Sequence, residues 1–112
     1  MFKVHKFPID PQKLKPYGST LGTFDLEVPG FYRYLSVAVQ SGVLVLYCIV
    51  DEDQLERKVP VQLLIAGTGQ KLPLEAFSPP EKFATFLGTH VLRVYWNAQW
   101  RLSTYHVWGM DA

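Results

Sequence analysis

Apolar and polar side chains alternate along most of this chain, in short runs cut by proline and glycine. In Phe2-Lys-Val-His-Lys-Phe7 every second residue is apolar, the period-two pattern of a half-buried strand. Pro8 ends it, because proline brings no N–H to a ladder. Residues 10–23 are rich in Pro, Gly, Lys and Thr and predict a loop, with a candidate helical turn after Asp10-Pro11, since proline suits a first helical position. Thr23–Val28 alternates again and stops at Pro29-Gly30, a turn dipeptide.

The segment from Tyr34 to Gln40 sets Leu35, Val37 and Val39 on one face and Ser36, Ala38 and Gln40 on the other. It places Tyr32 and Tyr34 opposite the Leu35/Val37/Val39 face. Ser41-Gly42 then joins it to Val43–Val50, which is apolar throughout, and two strands joined by two such residues predict a tight hairpin. A strand without a polar face predicts a central position with both faces covered. Asp51–Glu56 is an acidic loop. Lys58–Ala66 places Val59, Val61, Leu63 and Ile65 on one face, with Pro60 marking an edge, a bulge or a strand start. Gly67-Thr68-Gly69 breaks that strand. Residues 70–82 hold three prolines and a candidate short helix near Leu74–Phe77. Phe83–Leu87 is strand, Gly88-Thr89 interrupts it, and His90–Trp96 continues. Asn97–Gln99 turns the chain into Trp100–Trp108, where Trp100, Leu102, Thr104, His106 and Trp108 share a face.

These runs predict an all-β fold of six to seven strands over residues 1–112, a small antiparallel sandwich or partly open barrel with at most one short helix in a loop. A single domain of 112 residues is expected to bury roughly two thirds of its surface, enough for a core without staples. Charged residues are 19% and hydrophobic ones 48%, which excludes disorder. A net charge of +1 argues against bulk nucleic-acid binding. No apolar run reaches the length of a membrane span, and the N-terminal segment lacks the apolar stretch of a signal peptide. The single cysteine, Cys48, excludes an internal disulfide and reads as a small buried hydrophobe. A reducing cytoplasm is the expected setting.

The residues that carry chemistry are few. Gly67-Thr68-Gly69 lacks the spacing and the following helix of a phosphate loop, so it reads as a strand exit whose amides offer at most an anion contact. His5, His90 and His106 are too scattered to predict a metal site. His106 stands out for its aromatic neighbours, and its plain reading is a half-buried ring bonded to backbone. Aromatic residues make up 14% of the chain. Arg93, Trp96, Trp100, Arg101 and Trp108 cluster near the C-terminus, and guanidinium groups among rings suit either base stacking with phosphate contact or a protein interface.

Lys6-Phe7-Pro8, Val28-Pro29, Leu35-Ser-Val-Ala-Val-Gln-Ser-Gly42, Val50-Asp51, Gly67-Thr-Gly69, Gly88-Thr89 and His106-Val107 occur in an order that resembles a family of small uncharacterised proteins of tailed bacteriophages. That resemblance implies a phage gene product in the host cytoplasm and brings no activity with it. The expected function is a non-catalytic accessory protein of the anti-defence type, acting by binding a host protein or by sequestering a small nucleotide-type ligand. For the ligand the expected contacts are Arg93 or Arg101 on phosphate and Trp96, Trp100 or Trp108 on a base. His106 and the Gly67, Thr68 and Gly69 amides complete the expected site. Two apolar faces in a small domain predict a homo-oligomer. No cofactor is expected. The alternative is a structural or scaffold component of a phage particle. An enzyme using His106 or His90 as a base is the least favoured class, since neither has a partner at a diagnostic spacing.

Overall fold

The computed structural model describes residues 1–10, 13–17, 20–70, 84–96 and 98–110. Eight strands follow in order: β1 (Phe2–Pro8), β2 (Lys15–Tyr17), β3 (Thr20–Pro29), β4 (Phe31–Gln40), β5 (Val43–Asp51), β6 (Lys58–Gly67), β7 (Ala84–Trp96) and β8 (Gln99–Met110). A 3₁₀ turn, Glu52–Gln54, is capped by Asp51, whose Oδ1 accepts from the Asp53 amide at 3.0 Å. The strands form two antiparallel sheets, ordered β1-β5-β4 and β2-β3-β6-β8-β7, and among the described residues no ladder closes them into a barrel. The all-β sandwich expected from the alternation is the fold, with seven long strands and the three-residue β2.

The chain crosses between sheets after β1, β3 and β5. At the β3–β4 crossing Gly30 has φ +66, its amide donates to the Arg57 carbonyl and its carbonyl accepts from the Asp51 amide, each at 2.8 Å. Only glycine fits there, because a side chain would meet the Asp51 carbonyl. Ser41 and Gly42 both take positive φ, the geometry of a type I′ hairpin turn, as the two-residue link between apolar runs requires.

The core lies between the sheets. β5 contributes Leu44, Leu46, Cys48 and Val50, and β6 contributes Val61, Leu63 and Ile65, joined by Phe24, Val28, Val37, Leu87 and Val107. β5 is central, as its apolar sequence predicts. Its outward row is less covered than expected: Val45 is buried, Tyr47 and Ile49 are half-buried and Val43 is exposed. Beside that row Phe2, Val4 and Tyr32 are also exposed. Pro60 is tolerated because, among the described residues, β8 pairs with β6 only from Gln62 onward, which leaves Pro60 with β3 as its paired neighbour.

Four local expectations are corrected. Part of the loop expected at 10–23 is strand, since β2 pairs with the start of β3 across Lys15 and Thr23. The ladder between β4 and β5 shifts register between Phe31 and Arg33 and again between Tyr34 and Ser36. Each such irregularity resets which face the next residue takes. Tyr34 therefore points into the sandwich with Val37 and not away from it, and Leu35 is left exposed. Gly88 does not interrupt β7, which runs unbroken through a bulge between Phe86 and Gly88. His106, finally, is bonded to side-chain hydroxyls and not to backbone. The turn expected after Asp10-Pro11 is met by one bond, from the Lys13 amide to the Asp10 carbonyl at 3.0 Å. The short helix expected near residues 74–77 lies outside the described residues.

Tyr34 ties the two sheets together. Its ring lies over Gly109 of β8, and its hydroxyl donates to the Met110 carbonyl at 2.8 Å. A Cβ on Gly109 would meet the ring at 2.7 Å. Gly109→Ala is therefore expected to cost about 1–3 kcal/mol through overpacking, read as a lower Tm. Burial pushes the Cys48 thiol up to about 12. Alkylation needs the thiolate, so iodoacetamide is expected to label Cys48 only after unfolding, checked by intact mass with and without denaturant.

Candidate functional site

Strand β8 alternates as its sequence predicts. Tyr105, Val107 and Gly109 face the core, and Trp100, Leu102, Thr104, His106 and Trp108 form a row on the outer face of the five-stranded sheet. The antiparallel register sets Arg93 beside Leu102, Val91 beside Thr104, Thr89 beside His106 and Phe86 beside Trp108. Among the described residues β6 pairs with β8 only over Tyr105–Met110, so there the ladder beside residues 99–104 is that of β7. Among the described residues the end of the β7–β8 hairpin is thus a two-stranded ribbon running past β6. Its outer face is apolar and open, with Leu102 75% exposed, Trp100 59% and Val91 55%. The Arg93 guanidinium lies 5.0 Å from the centre of the Trp100 ring, within cation–π range.

The second cluster lies where β6 ends. Gly67–Gln70 form a tight turn in which the Gln70 amide donates to the Gly67 carbonyl at 3.2 Å. Gly69 has φ +87 and Thr68 does not have positive φ, the pattern of a type II turn, which calls for glycine at its third position. The turn is pinned from both sides. The Gln70 side-chain oxygen accepts from the Gly67 amide at 2.6 Å, and the Thr68 amide donates to the Thr104 carbonyl of β8 at 3.2 Å. This carries the Thr68 hydroxyl to 2.8 Å from His106 Nε2, while Thr89 Oγ1 from β7 lies 2.9 Å from His106 Nδ1. A neutral imidazole donates from one nitrogen and accepts at the other, and a hydroxyl can answer either way. The ring is therefore held from both ends. The Trp108 ring flanks it at 6.3 Å between centres, with the Phe86 ring tilted against Trp108 at 5.7 Å.

The residues expected to form one ligand site fall into two groups. Gly67, Thr68, Gly69, His106 and Trp108 are together at the sheet, and Arg93 and Trp100 are together on the ribbon. Six residue steps along the strand separate Trp100 from His106, about 20 Å at the rise of an extended chain. Arg101 belongs to neither group: it alternates to the opposite face from Trp100 and donates to the Gln99 side chain at 3.3 Å. Trp96 ends β7, and its side chain lies outside the described ones. Of the three expected anion-binding amides, those of Gly67 and Thr68 are already engaged within the fold. His90 is apart from both groups; its Nε2 is buried beside Gly88 without a hydrogen-bond partner among the described residues.

Thr89 was not legible as a partner of His106 from spacing along the chain. One signal would have found it. Counting pairs along the hairpin, Trp96 with Gln99 first, brings Thr89 opposite His106 as the eighth pair. Among the described residues no three His, Cys, Asp or Glu side chains converge as metal ligands, and no helix is long and apolar enough to cross a membrane.

An outward row of aromatic, aliphatic and hydroxyl side chains on a two-sheet antiparallel sandwich defines the molecule's class. Within that class the chain belongs to the family described as a domain of unknown function, DUF7352, whose match spans residues 1–109. No curated protein and no solved structure matches it.

The Arg93–Trp100 contact is exposed, so Arg93→Ala is expected to loosen the ribbon by about 0.5–1 kcal/mol. Hydrogen exchange should speed up at the amides of residues 91–102 and stay unchanged in β5 and β6.

Proposed function

We propose that this is a non-catalytic binding protein whose contact surface is the outer face of the β7–β8 ribbon. The observation that carries this reading is the exposed Trp100–Leu102–Val91 face with Arg93 set against the Trp100 ring. Tryptophan and arginine are the side chains on which interface energy concentrates, because each buries a large, rigid surface and keeps a polar handle. A ribbon of two strands is marginal in water by itself, and a bound partner would stabilise one. In the phage setting that the sequence resemblance implies, the partner is a protein of the host and the site of action its cytoplasm. A protein partner suits this surface better than one small nucleotide, which reaches the ribbon group or the His106 group but does not span both.

The test is a photo-crosslinking residue at position 102, with the same residue at Glu27 of β3 as the control. One discrete host-protein adduct from position 102, absent from position 27, is expected. Trp100→Ala should weaken the purified complex by at least about 30-fold, the measure of a hot spot. Equal or no adducts from the two positions would refute the ribbon as the contact surface. A rise in Tm with a mono-, di- or cyclic nucleotide, lost in Arg93→Ala, would favour ligand sequestration instead.

A second reading rests on a different observation. The exposed Phe2, Val4 and Val43 on the outer face of the three-stranded sheet favour self-association, the property a particle or scaffold component needs. Light scattering after size-exclusion chromatography separates the two: a large closed ring supports the scaffold, a monomer or dimer the binding protein.

A further inference from the structure

We infer that Thr68 is a nucleophile poised to accept an acyl group from an activated ester or thioester, with His106 as its base and Thr89 as the group that positions the imidazole. This goes beyond the binding surface on the ribbon and does not rest on it.

A threonine hydroxyl is a poor nucleophile until a neighbouring base takes its proton, and the sign of such a pair is hydrogen-bond reach between the two with the base held by a third group. Thr68 Oγ1 and His106 Nε2 are 2.8 Å apart, and Thr89 Oγ1 holds the far nitrogen at 2.9 Å. When Thr89 accepts from Nδ1–H, Nε2 presents its lone pair to the Thr68 hydroxyl. The three side chains come from the β6 exit, β8 and β7, so the arrangement is a product of the fold and not of one flexible loop.

The surroundings suit acyl transfer. Thr68 and Gly69 are exposed, so a donor reaches the hydroxyl. The turn holds Thr68 through its own amide and through the Gln70 side chain. The next amide, that of Gly69, has no hydrogen-bond acceptor among the described residues, and none of them beyond its two chain neighbours comes within 4 Å of where a Gly69 side chain would begin. The amide of the residue after the nucleophile is the usual first donor to an oxyanion in acyl transfer. The Trp108 ring beside His106 offers an apolar wall to the acyl chain.

The step balances without an added oxidant or reductant. Thr68 Oγ attacks the acyl carbon and its proton passes to His106 Nε2. The tetrahedral centre collapses by breaking the bond to the alkoxide or thiolate, which leaves with the proton from Nε2. The products are an ester at Thr68 and a free alcohol or thiol.

The test uses the full chain and p-nitrophenyl acetate, following nitrophenolate release and intact mass, with peptide mapping of the adduct. One acetyl group on Thr68 is expected. His106→Gln should slow its appearance by at least about 100-fold, the lower range for loss of a general base. Thr89→Val should slow it too, with Thr89→Ser restoring the rate, a rescue that a purely structural role in packing the methyl group would not give. Thr68→Ser should keep the reaction and Thr68→Val should abolish it. Circular dichroism confirms that each variant is folded. Acetyl groups found only on lysines, or nitrophenolate released as fast by Thr68→Val as by the native chain, would overturn the inference.

Discussion

The seat of Tyr34 on Gly109 is the constraint around which the sandwich is arranged. Two sheets stacked face to face are held by apolar burial, which has no direction and does not by itself fix how one sheet sits on the other. Tyr34 supplies the direction. It leaves β4, crosses the interior, rests on the one residue of β8 without a side chain and gives its hydroxyl proton to the next carbonyl. It reaches inward only because β4 carries two register shifts. The irregularities of an edge strand therefore set the relation between the layers. Through β8 they also set where the outer face of the five-stranded sheet is presented.

Much of the architecture was legible because alternation is a direct record of burial. The runs at 2–7, 23–28, 58–66 and 100–108 each correspond to a strand, and the apolar Val43–Val50 lies at the centre of its sheet. Ser41-Gly42 gave the hairpin because few residue pairs accept two positive φ angles in succession. What could not be read was anything that depends on one extra residue. Tyr34 and Leu35 each appear on the wrong side when β4 is counted as a regular strand. Gly88 looks like a break for the same reason, since a glycine in a strand marks either a bulge or an end and the sequence does not say which.

The candidate site shows the same division. The shared face of Trp100, Leu102, Thr104, His106 and Trp108 follows from periodicity alone, and it holds. That Arg93 meets Trp100 while Arg101 turns away is a matter of register and parity across a hairpin. The grouping of Gly67-Thr68-Gly69 with His106 was expected for an anion, yet the Gly67 and Thr68 amides are spent on holding the turn and the side chain of Thr68 is what reaches the ring. Sequence separation hid the third member, Thr89, because three strands have to be laid side by side before it arrives.

The strand edges carry a consequence for how the molecule behaves in a crowded solution. An unpaired edge invites a strand from another molecule, and repeated addition builds fibrils. On the three-stranded sheet an incoming strand meets Lys3, Lys6 and Pro8 along β1, and two breaks of register along β4. On the five-stranded sheet β2 is three residues long and includes Pro16. These three edges offer no regular template to extend. The same proline and bulges that obscure the pattern in the sequence thus act as colloidal protection, letting a sheet with Phe2, Val4 and Val43 on its outer face avoid growth by strand addition.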